Sequence, residues 1–313
     1  MRIDGRWFAI LALLLSSVLA LKLGAVDTAS ASFELIRELR LPRVVLAIAV
    51  GAGLALAGTV LQALFANPLC EPYTLGISSG SALGAVLALG TPLEGGSSGV
   101  ALPAFLGAGL FAAILLLIAR RSGSRGLTLL LAGVMLSLVG SSLVALWMAL
   151  SDPEGVHAAT FWLMGDLSRS RLAGAVAILG FILLCFVPIL RSSRELDALM
   201  LGEDQAEAVG LDVARSRKKL LLLSSLIVGA CVSAAGMIGF VGLVVPHFVR
   251  RSTGGMHGRT LPLAALWGAA VLVLADMTAR TLAAPVELPV GVVTALVGAP
   301  LFVWILIARR GSA

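Results

Sequence analysis

Charge is scarce in this sequence. Only 13% of its 313 residues are charged while 59% are apolar, and about 25% charge is usual in soluble domains. A water-soluble globule is thereby excluded. Lysine is scarcer still: Lys22, Lys218 and Lys219 are the only three, each preceded by Leu, Arg or Lys. A phosphate-cradling loop needs a Gly-Lys pair, so the chain has no such route to ATP hydrolysis. The three cysteines, Cys70, Cys185 and Cys231, lie in or beside apolar runs without CxxC spacing, and the three histidines, His157, His247 and His257, form no HExxH or HxxxH pair. That pattern offers neither a disulfide framework nor a metal site, and no catalytic group or cofactor is expected. Acids inside the apolar runs are almost lacking too. Asp276 is the one well inside, with Arg280 four residues on, where the two share a helix face and can pair. An ion-coupled secondary carrier usually needs ionisable groups near the bilayer centre, so Asp276 is the feature on which that alternative rests.

What is present is hydrophobic sequence in long runs. Mean hydropathy is +1.03, and apolar stretches recur at 7–23, 44–66, 73–91, 100–119, 127–150, 172–190, 220–236, 238–249, 260–284 and 288–308. Most are long enough to cross a hydrocarbon core of about 30 Å. The expected architecture is an all-α polytopic membrane protein with ten transmembrane helices, filling 1–313 as a single membrane domain. Arg2 and Arg6 before the first run also describe a secretory leader; a retained first span is the preferred reading. The uncharged run Leu220–Val249 would be about 45 Å of helix, too long for one ordinary span. With Lys218 and Lys219 before it and Arg250 and Arg251 after it, a hairpin keeps both basic clusters on one side, broken near Gly236, Gly239 and Gly242. The expectation is a full span followed by a short or broken one. With that folding, sixteen of the 23 basic residues fall on one side, the cytoplasmic one by the positive-inside tendency, as do both termini. Lys22, Arg37, Arg40, Arg43, Arg169, Arg171 and Arg280 are left to the outer side.

Two halves of the chain resemble each other. Val50-Gly51-Ala52, Ala57-Gly58 and Pro68 recur 178 residues later as Val228-Gly229-Ala230, Ala235-Gly236 and Pro246, and the hairpin makes the second copy run opposite to the first, as in an inverted repeat. Chance similarity between Ala/Gly-rich helices is the competing explanation. The longest charged segment on the inner side, 191–219, contains Glu203 to Val209, a helix-forming stretch with acids in its first turn and Gly210 as a stop. It is too short to span. Lying under the membrane, with Ala206 and Val209 on one small apolar face, it suits a groove on a cytoplasmic partner. Asn67-Pro68-Leu69-Cys70-Glu71-Pro72 forces a rigid turn between the second and third spans, either a plain connector or part of a gate.

These residues resemble the FecCD-type permease subunits of ABC importers for iron-siderophores, haem and cobalamin. The likeness rests on Leu41-Pro42-Arg43, Gly58 and Gln62, Asn67-Pro68-Leu69 with Glu71-Pro72, Leu75 to Gly80, Leu130 to Gly133, Gly202 to Gly210, Gly239 to His247 and Glu287 to Gly291, in order over roughly 35–308. It implies a type II importer permease in a bacterial inner membrane that passes a large metal chelate, a ferric siderophore or haem, inward without chemistry on it. Cobalamin import by the same architecture is the alternative. The implied partners are a second copy of the chain, two cytoplasmic ATP-binding subunits, a periplasmic substrate-binding protein and membrane lipid, with no nucleic acid. The resemblance makes Gly202, Glu203, Ala206, Glu207, Val209, Gly210 and Leu211 coupling residues and gives Arg40, Arg43 and Arg280 to docking of the binding protein. It places a cytoplasmic gate at Asn67, Pro68 and Leu69. A second gate element is often hydroxyl-bearing; here the nearest positions are Gly126 and Leu127, which leaves Ser124 and Thr128 as displaced candidates. His247 is expected to be structural.

Overall fold

The computed structural model describes residues 5–23, 34, 36–90, 97–121 and 126–310, and these are helical almost throughout. The α-helices are α1 (Gly5–Lys22), α2 (Leu41–Leu64), α3 (Ile77–Leu89), α4 (Ser97–Arg121), α5 (Gly126–Leu150), α6 (Pro153–Leu163), α7 (Leu172–Arg191), α8 (Ser193–Leu199), α9 (Glu203–Ala208), α10 (Val213–Ala235), α11 (Val241–Thr253), α12 (His257–Thr281) and α13 (Val290–Arg310). Seven of the described helices are long and apolar enough to cross a membrane. With α3, α11 and α13 added, each of the ten expected apolar runs has its helix. Helices α6 and α8 were not expected. Asp152 starts α6 by accepting from Gly155 N–H at 2.9 Å, with Pro153 in the first turn, a start signal hidden in a stretch too short and polar to read as a span.

Helix α2 is the axis of the bundle, with 83% of its apolar window buried, and it packs against α7, α10, α11 and α12. Its small residues let neighbours approach closely. A Cβ added at Gly58 would lie 1.9 Å from the Gly242 carbonyl oxygen, so only glycine permits α2 and α11 to touch there.

The Leu220–Val249 run breaks as the charge pattern requires. Helix α10 ends at Gly236 (φ +68) and α11 begins after Phe240, itself left-handed at φ +68. The direction reverses at the break. Cys231 Sγ lies 3.8 Å from Val50 O and Ile227 approaches Gly53, which makes α10 antiparallel to α2. Gly242 faces Gly58 and Arg250 reaches Gln62, so α11 runs parallel to α2 and starts partway along it. A second break was not anticipated: the 73–91 run yields a helix of only 13 residues. Pro72–Leu75 forms a 3-10 turn and Gly76 turns left-handed at φ +79. Helix α3 therefore starts at the level of Gly133, seven residues into α5, and reaches Trp147 at its far end.

The two breaks make the internal repeat visible. Helices α2 to α5 have 24, 13, 25 and 25 residues, and α10 to α13 have 23, 13, 25 and 21. Packing is reciprocal, α2 against α11 and α12, and α10 against α3 and α4. With α2 and α10 antiparallel, this is the inverted arrangement common among transporters, in which discontinuous helices lie inside the bundle.

Candidate functional site

At the centre, the two broken elements meet. Glu71 Oε1 accepts from Phe240 N–H at 2.6 Å, the Tyr73 hydroxyl accepts from Ile238 N–H, and Pro72 packs on Gly242. Phe240 is the N-cap of α11, so a carboxylate sits at the positive end of a half-helix whose first N–H groups have no intrahelical partner. It also holds Phe240 in a backbone conformation that costs of order 1–3 kcal/mol. Nearby, buried Gln62 donates through Nε2 to the Gly242 and Leu243 carbonyls at 3.3 Å each and accepts from Arg250 Nη2 at 2.8 Å. Glu71, Tyr73 and the Gln62–Arg250 pair were missed as a unit. Only the acid-proline pair Glu71-Pro72, in the turn between two apolar runs, hinted at it.

The 67–70 turn lies where α2 ends. Asn67 Oδ1 accepts from Leu69 N–H at 2.9 Å and its carbonyl accepts from Cys70 N–H at 3.1 Å, closing a tight turn. Pro68 and Leu69 point outward, while Cys70 is buried with Sγ 3.8 Å from the Thr74 hydroxyl. Burial pushes the Cys70 thiol up to about 11; the Thr74 contact opposes this and Glu71 adds to it. Of the second gate pair, Thr128 is exposed on the first turn of α5 and Ser124 lies outside the described residues. His247 is buried and meets Phe302 edge-on, ring centroids 6.4 Å apart, a packing role as expected.

In the 191–219 segment, Gly202 (φ +105) and Gly210 (φ +85) bracket α9. Glu207 and Gly210 are exposed and Leu211 is half-buried, its N–H bonded to Ala206 O at 3.1 Å. The expected apolar face is not formed as read. The helix stops at Ala208, so Ala206 turns fully inward while Val209, the C-cap, is 70% exposed. The outward apolar partner of Val209 in this segment is Leu201, 59% exposed. Glu203 turns toward the body, where Oε1 accepts from Gly126 N–H at 3.0 Å and from Arg217 Nη2 at 2.8 Å.

The three arginines expected to dock a binding protein sit together where α1, α2 and α12 meet. Arg40, Arg43 and Arg280 are all buried. Arg43 donates from Nε to Asp276 Oδ1 at 2.7 Å and from Nη1 to Glu287 Oε2 at 2.6 Å. Arg280 Nε lies 3.1 Å from Asp276 Oδ2, an ion pair without hydrogen-bond alignment. Arg40 Nη1 donates to the Leu21 and Lys22 carbonyls at 2.9 and 2.8 Å, and Arg280 Nη2 to the Ala20 carbonyl at 3.2 Å. These guanidinium groups satisfy the last carbonyls of α1, where cations are favoured, and neutralise the buried acid. Asp276 is thus an internal counter-ion with both oxygens against arginines. The physical reason is proximity: α1, α2 and α12 converge here, and burial forces their charges to pair.

Between α11, α12 and α13 lies a groove of about 620 Å³, lined by side chains such as Phe240, Val244, Trp267, Val271, Thr294 and Val297, with no ionised group among its lining. Among the described residues no group of three or more His, Cys, Asp or Glu could hold a metal ion.

Broken helices meeting at mid-depth inside an inverted repeat define a multi-pass membrane transport protein. The FecCD transport family profile matches residues 7–308, and the chain belongs to that family. It is 37% identical over 295 residues to the haemin transport permease HmuU of Yersinia pestis, covering 91% of this chain and 86% of that one. It is 40% identical over 284 residues to the vitamin B12 import permease BtuC of Vibrio cholerae, covering 89% and 84%. To the Fe(3+) dicitrate transport permease FecD of Escherichia coli it is 41% identical over 279 residues, covering 89% and 86%. Its fold matches a solved structure described as a metal-chelate-type ABC transporter in an inward-facing conformation, with a TM-score of 0.88 and 35% identity over 97% of this chain and 98% of the other.

Proposed function

We propose that the chain is the permease subunit of an ABC importer carrying a ferric siderophore or haem across the bacterial inner membrane, both termini cytoplasmic. Two copies enclose the pathway, a periplasmic binding protein delivers the cargo, and two separate subunits hydrolyse ATP. The observation that carries this reading is the exposed pair Leu201 and Val209, 59% and 70% open, on either side of the short helix α9, which is held against the body at the basic end. An apolar surface in that position, on a chain without a phosphate loop, is what an external motor needs to grip. Glu207 and Gly210 flank the grip, and Asn67, Pro68, Leu69 and Thr128 form the inner gate. The relatives' named cargoes, haemin, vitamin B12 and Fe(3+) dicitrate, are all bulky metal complexes; a groove without ionised lining suits passage rather than tight retention. On the outer rim Arg169 and Arg171 are exposed, and they offer a binding protein the positive charge that Arg40, Arg43 and Arg280 keep inside.

The test is uptake by proteoliposomes containing the chain with its ATPase and binding protein, read by the absorbance of haem and of ferric chelates. ATP-dependent accumulation of either supports the reading; accumulation of cobalamin alone assigns the alternative cargo. An ion-coupled carrier is the reading from another class, and the doubly paired Asp276 leaves it without its key residue.

A further inference from the structure

The strongest uncommitted feature is the single oxygen by which Glu203 joins three elements. Glu203 opens α9, Gly126 opens α5 and Arg217 lies in the second turn of α10, and both donors converge on Glu203 Oε1. The Gly126 N–H is an orphan donor at the positive end of a 25-residue helix, so the carboxylate satisfies both a hydrogen bond and the helix dipole. Space is tight as well: a Cβ at Gly126 would stand 3.2 Å from Glu203 Oε1 and 3.4 Å from Arg217 Nη2. Further along α5, Gly133 packs directly under Leu75, and Ser137 Oγ donates to the Tyr73 carbonyl at 3.3 Å. Tyr73 and Glu71 are the residues that clasp Ile238 and Phe240. Eleven residues of α-helix, about 16 Å, thus separate the Glu203 contact from the junction of the two half-helices, and every link between them is a hydrogen bond or a packed backbone.

We infer that Glu203 is a positioning residue that clips the short α9 helix to the N-terminus of α5, so that movement of α9 is delivered along α5 to the Glu71/Tyr73 junction at mid-depth. The inference rests on the proposed grip of an ATPase on α9 and adds which way the motion goes. Among the coupling residues Glu203 faces the permease body while Val209 and Glu207 face outward, a division between a contact that receives motion and one that passes it on. Contiguity alone does not establish coupling; the perturbation must be made at the clip and read at a distance.

The experiment uses the full chain in complex with its ATPase in lipid nanodiscs and proteoliposomes. Glu203→Ala removes the acceptor. Gly126→Pro removes the donor from the other side at a first-turn position that tolerates proline, and its ring takes the space that Glu203 Oε1 fills, so the clip is broken from the α5 side. Uptake per ATP hydrolysed is expected to fall roughly fivefold or more in each, the lower end of ordinary coupling energies, while ATP hydrolysis continues. The double variant should be no worse than either single one, because both break one link. Glu203→Gln, which keeps an oxygen acceptor, should recover part of the loss. Spin labels at Leu131 on α5 and Leu222 on α10, both exposed, should report a nucleotide-dependent distance change in the native complex that Glu203→Ala and Gly126→Pro abolish, a readout that a purely structural role would not move. If Glu203→Ala also unfolds the chain, Gly126→Pro decides. Native uptake per ATP in Gly126→Pro, or an unchanged label response, overturns the inference while the proposed function stands. Failure of the native chain to associate with an ATPase overturns both.

Discussion

Asp276→Asn separates a structural acid from a transport acid. The carboxylate is 1% exposed and faces Arg43 and Arg280, which are 7% and 3% exposed, at 2.7 and 3.1 Å. Removing one partner of a buried pair costs about 3–5 kcal/mol, because the other charge stays behind uncompensated. Two features pull this toward the low end. Glu287 still holds Arg43 at 2.6 Å, and asparagine keeps one oxygen able to accept from Arg43 Nε. A loss of about 3 kcal/mol is therefore expected. With an unfolding entropy of about 2.1 cal/mol/K per residue, 313 residues give about 0.66 kcal/mol/K, so Tm should drop by about 5 °C. The assay is thermal unfolding in detergent followed by size-exclusion chromatography, with ATP-driven uptake measured on the folded fraction. Adding Arg280→Met should restore part of the loss by removing the stranded cation. Native Tm together with abolished uptake would refute the reasoning and return Asp276 to the role of an ion-coupling group.

Other substitutions probe the remaining parts. Gly58→Ala puts a methyl 1.9 Å from the Gly242 oxygen, so α11 must withdraw by about 1.5 Å from van der Waals contact, at a cost of about 1–3 kcal/mol; a Tm equal to native would contradict the close approach. With Cys185 and Cys231 replaced by serine, Cys70 should resist maleimide at pH 7, since a thiol near 11 is ionised in only about one molecule in ten thousand. Its labelling should rise with pH, and rapid labelling at rest would show the 67–70 turn already open. Glu207→Arg with Val209→Asp should leave the fold intact but release the ATPase, and normal uptake by that variant would remove α9 from the docking surface.

The amino-acid pattern made some of this legible and hid the rest for physical reasons. The span positions were readable because apolar length is a property of each segment alone, and the 220–249 break was readable because two basic clusters cannot both stay inside without a hairpin. The second break at 72–76 was not. Leu75, Gly76 and Ile77 continue the hydrophobic run, and only the left-handed backbone at Gly76 shows that the helix starts late. Residue-level roles depend on partners far along the chain, which one segment cannot reveal. Arg43 lies 233 residues from Asp276, so its burial was invisible beside Leu41 and Pro42, where it looked like a rim charge. Ala206 and Val209 share a face only if α9 continues, and it ends one residue short. Glu203 looked like one more helix-starting acid, since its two donors sit on α5 and α10.

The most direct test of the whole account is uptake by the chain reconstituted with and without its ATPase, under ATP and under imposed proton or sodium gradients. A chelate should accumulate only when the ATPase and ATP are both present, and the chain alone should transport nothing under either gradient. Gradient-driven uptake by the isolated chain, lost in Asp276→Asn, would contradict the claim that this membrane body is moved by an external motor.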